Sequence, residues 1–318
     1  IDSDHIWQDI DPTVAIDDDG QAYLYWGNPG LWYVKLNEDM ISYDQSIGDK
    51  GIVSVEMTPE AFGSQEGRDG KERASYTEGP WFYKRNNLYY MIYAAKGIPE
   101  YIAYSTAPTA EGPWTYRGII MERADHLAFT NHSGIIDYKD NSYIFYHDQA
   151  LSEGEGFKRS VSVEQFSYND DGTIPLIEPT KAGVKESVSN VNPYKKVEAE
   201  TIAWSEGLKT SGNSQSGVYL SRINNGDYLI VRSVDFGKGA KSFAARVASA
   251  SQGGQIEVRL DNPDGKLLGT IDVKKTGDSE KWSTVKGKLK KATGVNDVCL
   301  VFKGGEGELF NFDWWVLK

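Results

Sequence analysis

The chain has 318 residues, enough for two domains at a usual size of roughly 100 to 200 residues each. A formal net charge of −12, with 46 Asp and Glu against 34 Lys and Arg, argues against nucleic acid as a partner, because no basic stripe is present to neutralise phosphates. No run reaches the roughly 18 apolar residues that a membrane span needs, and a single cysteine, Cys299, excludes an intrachain disulfide.

In chain order, Ile10-Asp11-Pro12-Thr13-Val14 leads into the turn Asp17-Asp18-Asp19-Gly20 and the alternating run Ala22-Tyr23-Leu24-Tyr25-Trp26. Tyr76-Thr77-Glu78-Gly79-Pro80-Trp81 leads similarly into Asn86-Asn87 and the run Leu88 to Tyr93. The pair Asp140-Asn141 precedes a third run, Tyr143 to Tyr146. Aromatic alternation bounded by Asp, Asn and Gly turns predicts β-hairpins, and their long-period recurrence predicts the blades of a propeller. The triple Asp reads as a solvated turn rather than a metal loop, because the remaining EF-hand positions are missing. Lys181 to Pro193 has no aromatics and no apolar period. After it come short strands: Val197 to Glu200, Gly226 to Val231, Ile256 to Leu260 and Val298 to Phe302, a spacing that predicts a β-sandwich. Cys299, inside the last of these, reads as a buried, inert thiol. The expected division is therefore 1–183, a linker at 184–193, and 194–318.

Two carboxylates on separate hairpin units, Asp11 and Glu78, suggest a glycosidase cleft. Acid-assisted cleavage of an acetal needs one carboxyl kept protonated, and a neighbouring carboxylate can raise its pKa enough to achieve this. Together with Ala103-Tyr104-Ser105-Thr106-Ala107-Pro108 and Gly112-Pro113-Trp114, these motifs resemble glycoside hydrolase family 43 over about residues 1 to 185. The resemblance implies a five-bladed propeller that hydrolyses arabinose- and xylose-containing polysaccharides with inversion. It implies Glu78 as general acid, Asp11 as the residue that tunes it, Arg159 at the cleft floor, and His132 near the propeller axis, where a calcium ion is often held through water. Trp81, immediately after the Glu78-Gly79-Pro80 string, is the Trp expected to stack on a sugar face; Trp26, Trp32 and Trp114 read as packing between blades. The family's third carboxylate, the base that activates water, is not found. Residues 1 to 185 supply four blades or fewer, so the expectation is a catalytic domain that lacks its N-terminal portion.

Residues 194 to 318, opening on Glu198-Ala199-Glu200 and closing on Asn311-Phe312-Asp313-Trp314-Trp315, resemble a family 6 carbohydrate-binding module, a jelly-roll sandwich. That likeness implies Tyr219, Trp282 and Asn311 as sugar contacts and Glu198, Glu200 and Asp313 as structural calcium ligands. The whole reads as all-β: a partial five-bladed propeller followed by a sandwich. The expected function is exo-hydrolysis of α-L-arabinofuranosyl or β-D-xylosyl linkages in arabinoxylan or xylan, outside the cell. The competing reading is a lectin that breaks no bond; a sialidase is disfavoured because Ser-x-Asp-x-Gly-x-Thr-Trp boxes are absent.

Overall fold

The computed structural model describes residues 8–150, 157–184 and 186–318. It is nearly all β, and the chain divides into two compact units, 1–185 and 186–318. In the first unit, β1 (Thr13–Ile16), β2 (Ala22–Trp26), β3 (Trp32–Leu36) and β4 (Val53–Ser54) form an antiparallel meander. A short helix α1 (Pro59–Phe62), capped by Thr58 and stopped by Gly63, leads to the two-stranded ribbon β5 (Ser64–Glu66) and β6 (Glu72–Ala74). A second meander follows, β7 (Tyr76–Arg85), β8 (Leu88–Ala95), β9 (Tyr101–Ala107) and β10 (Thr115–Met121), then a third, β11 (Ser133–Tyr138), β12 (Asn141–Asp148) and β13 (Ser160–Phe166).

The three meanders stack in chain order, and β8 displays why. Its side chains alternate between two cores: Tyr89, Met91 and Tyr93 pack with Tyr23, Tyr25 and Tyr33 of the first sheet, while Tyr90 and Ile92 pack with Ile135, Ile144 and Tyr146 of the third. A sheet covered on both faces explains why β8 reads as an unbroken apolar run and why β9 is buried throughout, Ser105 and Thr106 included. Trp26 and Trp114 are buried in this packing.

Two turns depart from expectation. The third hairpin turns on Lys139 and Asp140, both at positive φ, and Asn141 already pairs with Tyr138. In the triple-Asp turn only Asp18 and Asp19 are exposed. Asp17 is instead held by Lys84 Nζ at 2.6 Å and by the Tyr89 hydroxyl, because β7 runs alongside. Those bonds hold its carboxyl below the usual range against the opposing effect of burial.

The second unit comprises β14 (Val197–Glu198), β15 (Trp204–Glu206), β16 (Lys209–Asn213), β17 (Gly217–Ser221), β18 (Tyr228–Asp235), β19 (Ser242–Ala248), β20 (Gly253–Leu260), β21 (Leu267–Lys274), β22 (Ser283–Lys288), β23 (Val295–Lys303) and β24 (Asn311–Leu317). One sheet runs β16-β17-β24-β19-β22, with β14 also on β24; the other runs β15-β18-β23-β20-β21. Phe243, Phe312 and Trp315 of the first meet Ile256, Leu300 and Phe302 of the second in a single core. Cys299 is buried, and burial pushes its thiol up to about 12. The segment read as a linker is partly tied down. Val191 bridges to Val234, and the Pro193 carbonyl accepts from Leu317 N, so the sandwich claims residues from 191 onward.

Candidate active site

Glu78 sits at a break in β7. Glu78 faces Ala94 and Trp81 faces Ile92, so Gly79 and Pro80 together oppose one residue of β8. The sequence causes this bulge: Gly79 takes φ +62, where glycine carries no steric penalty, and Pro80 has no N–H for the ladder. The bend turns Glu78 toward the place where the ends of the three meanders converge.

Each meander brings its own groups. From the first, the Asp11 carboxylate accepts from Gly79 N at 3.0 Å, and Asn28 Nδ2 donates to Glu78 Oε2 at 2.6 Å. From the third, His132, immediately before β11, points Nε2 at Glu78 Oε1 from 3.4 Å and Nδ1 at Asp11 from 3.9 Å. The first distance is a close polar contact rather than an aligned hydrogen bond, and His132 Nε2 has no hydrogen-bond partner. Behind these lies Glu100, directly before β9. It is 2 % exposed, with Oε2 4.0 Å from His132 Nε2. Asp11, Glu78 and His132 each place one ligand atom within 4.8 Å of the others. The sequence brings together Asp11, Glu78 and His132 as expected, and the structure adds Asn28 and Glu100.

The electrostatics differ from expectation. The contact with His132 holds the Glu78 carboxyl below its ordinary range, outweighing burial, and Asn28 acts in the same direction. The carboxyl pushed up, to about 9, is Glu100, first by burial and then by the charge of Glu78. In this arrangement Glu78 is therefore the anion and Glu100 the protonated acid at neutral pH. His147 stacks on His132 with ring centres 5.9 Å apart, and burial lowers its pKa. Arg159 is exposed just before β13, and its charge adds to burial in lowering the pKa of His147.

Next to the cluster a pocket of about 410 Å³ is lined by Trp81, His132, Ile136, Phe145, His147 and Val161. Trp81 is 39 % exposed and ties the second meander to the third through Nε1 to the Ile135 carbonyl, 3.0 Å.

In the sandwich, Tyr219 and Trp282 touch edge to face with centroids 5.1 Å apart, and Tyr219 is 6 % exposed. Two rings in contact at 72° leave no slot for a sugar between them. The Arg246 guanidinium lies 4.9 Å from the Trp282 ring, and Asn311 Nδ2 donates to the Ser279 carbonyl at 2.8 Å. The expected calcium ligands are also partly engaged: Glu198 pairs with Lys196 at 2.6 Å and Asp313 with Arg246. Glu200 remains, with a buried Oε2 that has no partner. Burial, then the charges of Glu198 and Asp313, raise its pKa. An orphaned buried carboxylate oxygen suits a hard cation, but among the described residues Glu198, Glu200 and Asp313 do not gather closely enough to make one ligand set. Around His132 the described set is two carboxylates and an imidazole, so a calcium ion there would complete its six to eight oxygen ligands with water.

A carboxylate cluster on stacked antiparallel meanders, joined to a β-sandwich, defines a carbohydrate-active protein, and comparison with known families agrees. The model for glycosyl hydrolases family 43 matches residues 2–174, and the model for carbohydrate binding module family 6 matches 198–318. The chain belongs to glycosyl hydrolases family 43 and carries a family 6 module. It is 36 % identical to an arabinoxylan arabinofuranohydrolase of Bacillus subtilis over 96 % of its own length and 63 % of that protein. It is 35 % identical to one from Paenibacillus polymyxa over 96 % of its length and 50 % of that protein. The chain thus spans between half and two thirds of these relatives. A crystal structure of the Bacillus subtilis arabinoxylan arabinofuranohydrolase with cellotetraose superposes with a TM-score of 0.79 at 33 % identity, covering 98 % of this chain and 67 % of that one.

Proposed function

We propose that this chain carries the acid side of an inverting exo-glycosidase that removes α-L-arabinofuranosyl groups from arabinoxylan, its three meanders being blades of a five-bladed propeller. The observation that carries the reading is the convergence of Asp11, Glu78 and His132 from three different meanders. Glu78 delivers the proton to the leaving oxygen. Asp11 is not the base: an inverting pair stands roughly 6.5 to 9.5 Å apart across the sugar. Asp11 lies within 4.8 Å of Glu78 and accepts from the adjacent Gly79 N–H, so the two carboxylates are side by side. That placement suits a neighbour that raises the proton affinity of Glu78 once a sugar has displaced water from the cleft. Substrate burial has this task to perform, because His132 holds Glu78 ionised in the open site. The described residues around Glu78 contain no carboxylate across the cleft in the base position.

Arabinose rather than xylose is supported by the two arabinoxylan arabinofuranohydrolases that resemble the chain along almost its whole length. Trp81 supplies an exposed ring beside the cluster for the sugar face. Arg159 remains at the rim in this reading, near His147. The sandwich would hold the enzyme on xylan through Trp282, and Glu198, Glu200 and Asp313 would be drawn together by a calcium ion that neutralises their mutual repulsion. A polymer of this kind cannot enter a cell, so the site of action is extracellular.

The test is incubation of the full-length protein with arabinoxylan and chromatography of the released sugars. Arabinose without xylose supports the assignment. Xylose alone would make the protein a β-xylosidase, and retention on insoluble xylan with no sugar released would make it a lectin.

A further inference from the structure

Asn28 lies in the loop Gly27-Asn28-Pro29-Gly30 between β2 and β3, and its Nδ2 donates to Glu78 Oε2 at 2.6 Å. That bond crosses from the first meander to the second, and the loop is tied down on both sides of it. Gly27 N donates to the Ile10 carbonyl at 3.1 Å and Asn28 N to the Gln8 carbonyl at 3.2 Å, which joins the loop to the segment carrying Asp11. The Gly27 carbonyl accepts from the buried Tyr76 hydroxyl at 2.8 Å, so the loop is also fastened to the start of β7, two residues before Glu78. The Trp32 ring packs into the loop so closely that a Cβ on Gly27 or on Gly30 would lie 2.5 Å from it. Glycine at both positions is what lets the ring and the backbone approach, and the approach fixes the path of the chain through Asn28.

We propose that Asn28 is a positioning residue for Glu78, an amide that fixes the direction in which the acid's carboxyl group faces. The inference rests on the reading of Glu78 as the acid. Through the backbone bonds to Gln8 and Ile10, Asp11 and Asn28 behave as one unit, and they grip the bulge of β7 at two points: Asp11 accepts from Gly79 N, and Asn28 donates to the Glu78 side chain. The first contact sets the backbone at the bulge. The second sets the side chain, which has three rotatable bonds of its own and would otherwise share its time among several directions. Proton delivery needs the carboxyl in one of them, since a misplacement of about 1 Å can cost about 10²-fold in rate. An amide N–H donates equally to a carboxyl or a carboxylate oxygen, so the contact holds before and after the proton leaves. Asn28 is also uncharged, so it orients Glu78 without adding another charge beside Asp11.

The experiment compares Asn28→Ala and Asn28→Asp in the full-length protein, with kinetics on arabinoxylan and on an aryl arabinofuranoside with a good leaving group, and a crystal structure of each variant. Ala removes the donor; Asp keeps the shape of the side chain but presents an acceptor in its place. On arabinoxylan N28A should lose roughly 10- to 100-fold in kcat, the loss of one hydrogen bond to a charged group, with KM within about twofold. N28D should lose at least as much. Both losses should be much smaller on the aryl glycoside, which needs little protonation, whereas a merely structural role for the loop would slow both substrates alike. In both crystal structures the Glu78 carboxyl should have turned from its present direction. Wild-type kcat on arabinoxylan in either variant, equal losses on the two substrates, or an unmoved Glu78 would each overturn the proposal. Should N28A fail to fold, N28D, of native shape, carries the same comparison. Glu78→Gln separates the two readings: wild-type polymer turnover in E78Q means that Glu78 is not the acid, and the variant crystals still decide whether Asn28 orients it, whereas an inactive E78Q beside a fully active N28A sinks the role of Asn28 alone.

Discussion

Gly79 offers a way to disturb the site without removing any of its chemistry. A Cβ on Gly79 would lie 2.8 Å from His132 Cγ and 2.9 Å from Nδ1, closer than real Cβ contacts come, and the residue also sits at φ +62. Gly97 has nearly the same backbone, φ +65, but its Cβ would meet nothing within 4 Å. Gly97→Ala therefore measures backbone strain alone, about 1–2 kcal/mol, or a fall in Tm of about 2–8 °C for a unit of this size. Gly79→Ala carries the same strain plus the displacement of the imidazole, about 1–3 kcal/mol more for overpacking a filled site. Its kinetic effect should be far larger, because a shift of His132 by as much as 1 Å moves a group touching both carboxylates and can cost about 10²-fold in kcat. Scanning calorimetry and arabinose release on the two variants would check this. G79A as active as G97A would refute the claim that His132 is held in a working position by the bulge.

Three further outcomes follow from the electrostatics and the sandwich. Glu100 keeps its proton in the folded state up to about 9, whereas unfolded it loses it near the ordinary 4.5, so folding binds a proton across that window and wild-type stability should fall relative to a Glu100→Gln variant as pH rises through it. A pH-independent difference between the two in denaturant titrations would contradict the assignment. Chelation with EDTA should lower the Tm of the sandwich transition, and Glu200→Gln, which removes the orphaned carboxylate, should abolish that sensitivity; an unchanged melting curve would leave Lys196 and Arg246 as the only counter-charges. In affinity electrophoresis on xylan, Trp282→Ala should lose retardation while Tyr219→Phe keeps it, because Tyr219 is buried against Trp282; the opposite result would place the sugar on Tyr219.

Much of the fold was legible because its elements announce themselves locally. Asp19-Gly20 and Asn86-Asn87 mark real turns, and the aromatic runs that follow are the inner strands of stacked sheets. Asp11 and Glu78 were legible through the strings around them, since Gly79-Pro80 is both a motif and the physical cause of the bulge that aims Glu78. Glu100 was not, for its only signal is a charged residue placed directly before the buried run Tyr101 to Ala107, and its meaning depends on which groups the third meander brings to it. The direction of the Glu78 shift was hidden for the same reason: it is set by His132, more than fifty residues away in sequence, rather than by Asp11. In the sandwich, the edge contact between Tyr219 and Trp282 and the Arg246 beside them come from β17, β24, β19 and β22 lying side by side, which no local pattern encodes.

The central claim, that Glu78 delivers the proton, is tested most directly by Glu78→Gln in the full-length protein, assayed on arabinoxylan and on an aryl arabinofuranoside with a good leaving group. The polymer's sugar hydroxyl cannot leave without protonation, whereas the activated phenolate needs little. The account predicts a loss of roughly 10²- to 10⁴-fold on the polymer and a much smaller one on the aryl glycoside. Equal losses on both substrates, or wild-type turnover on the polymer, would contradict it.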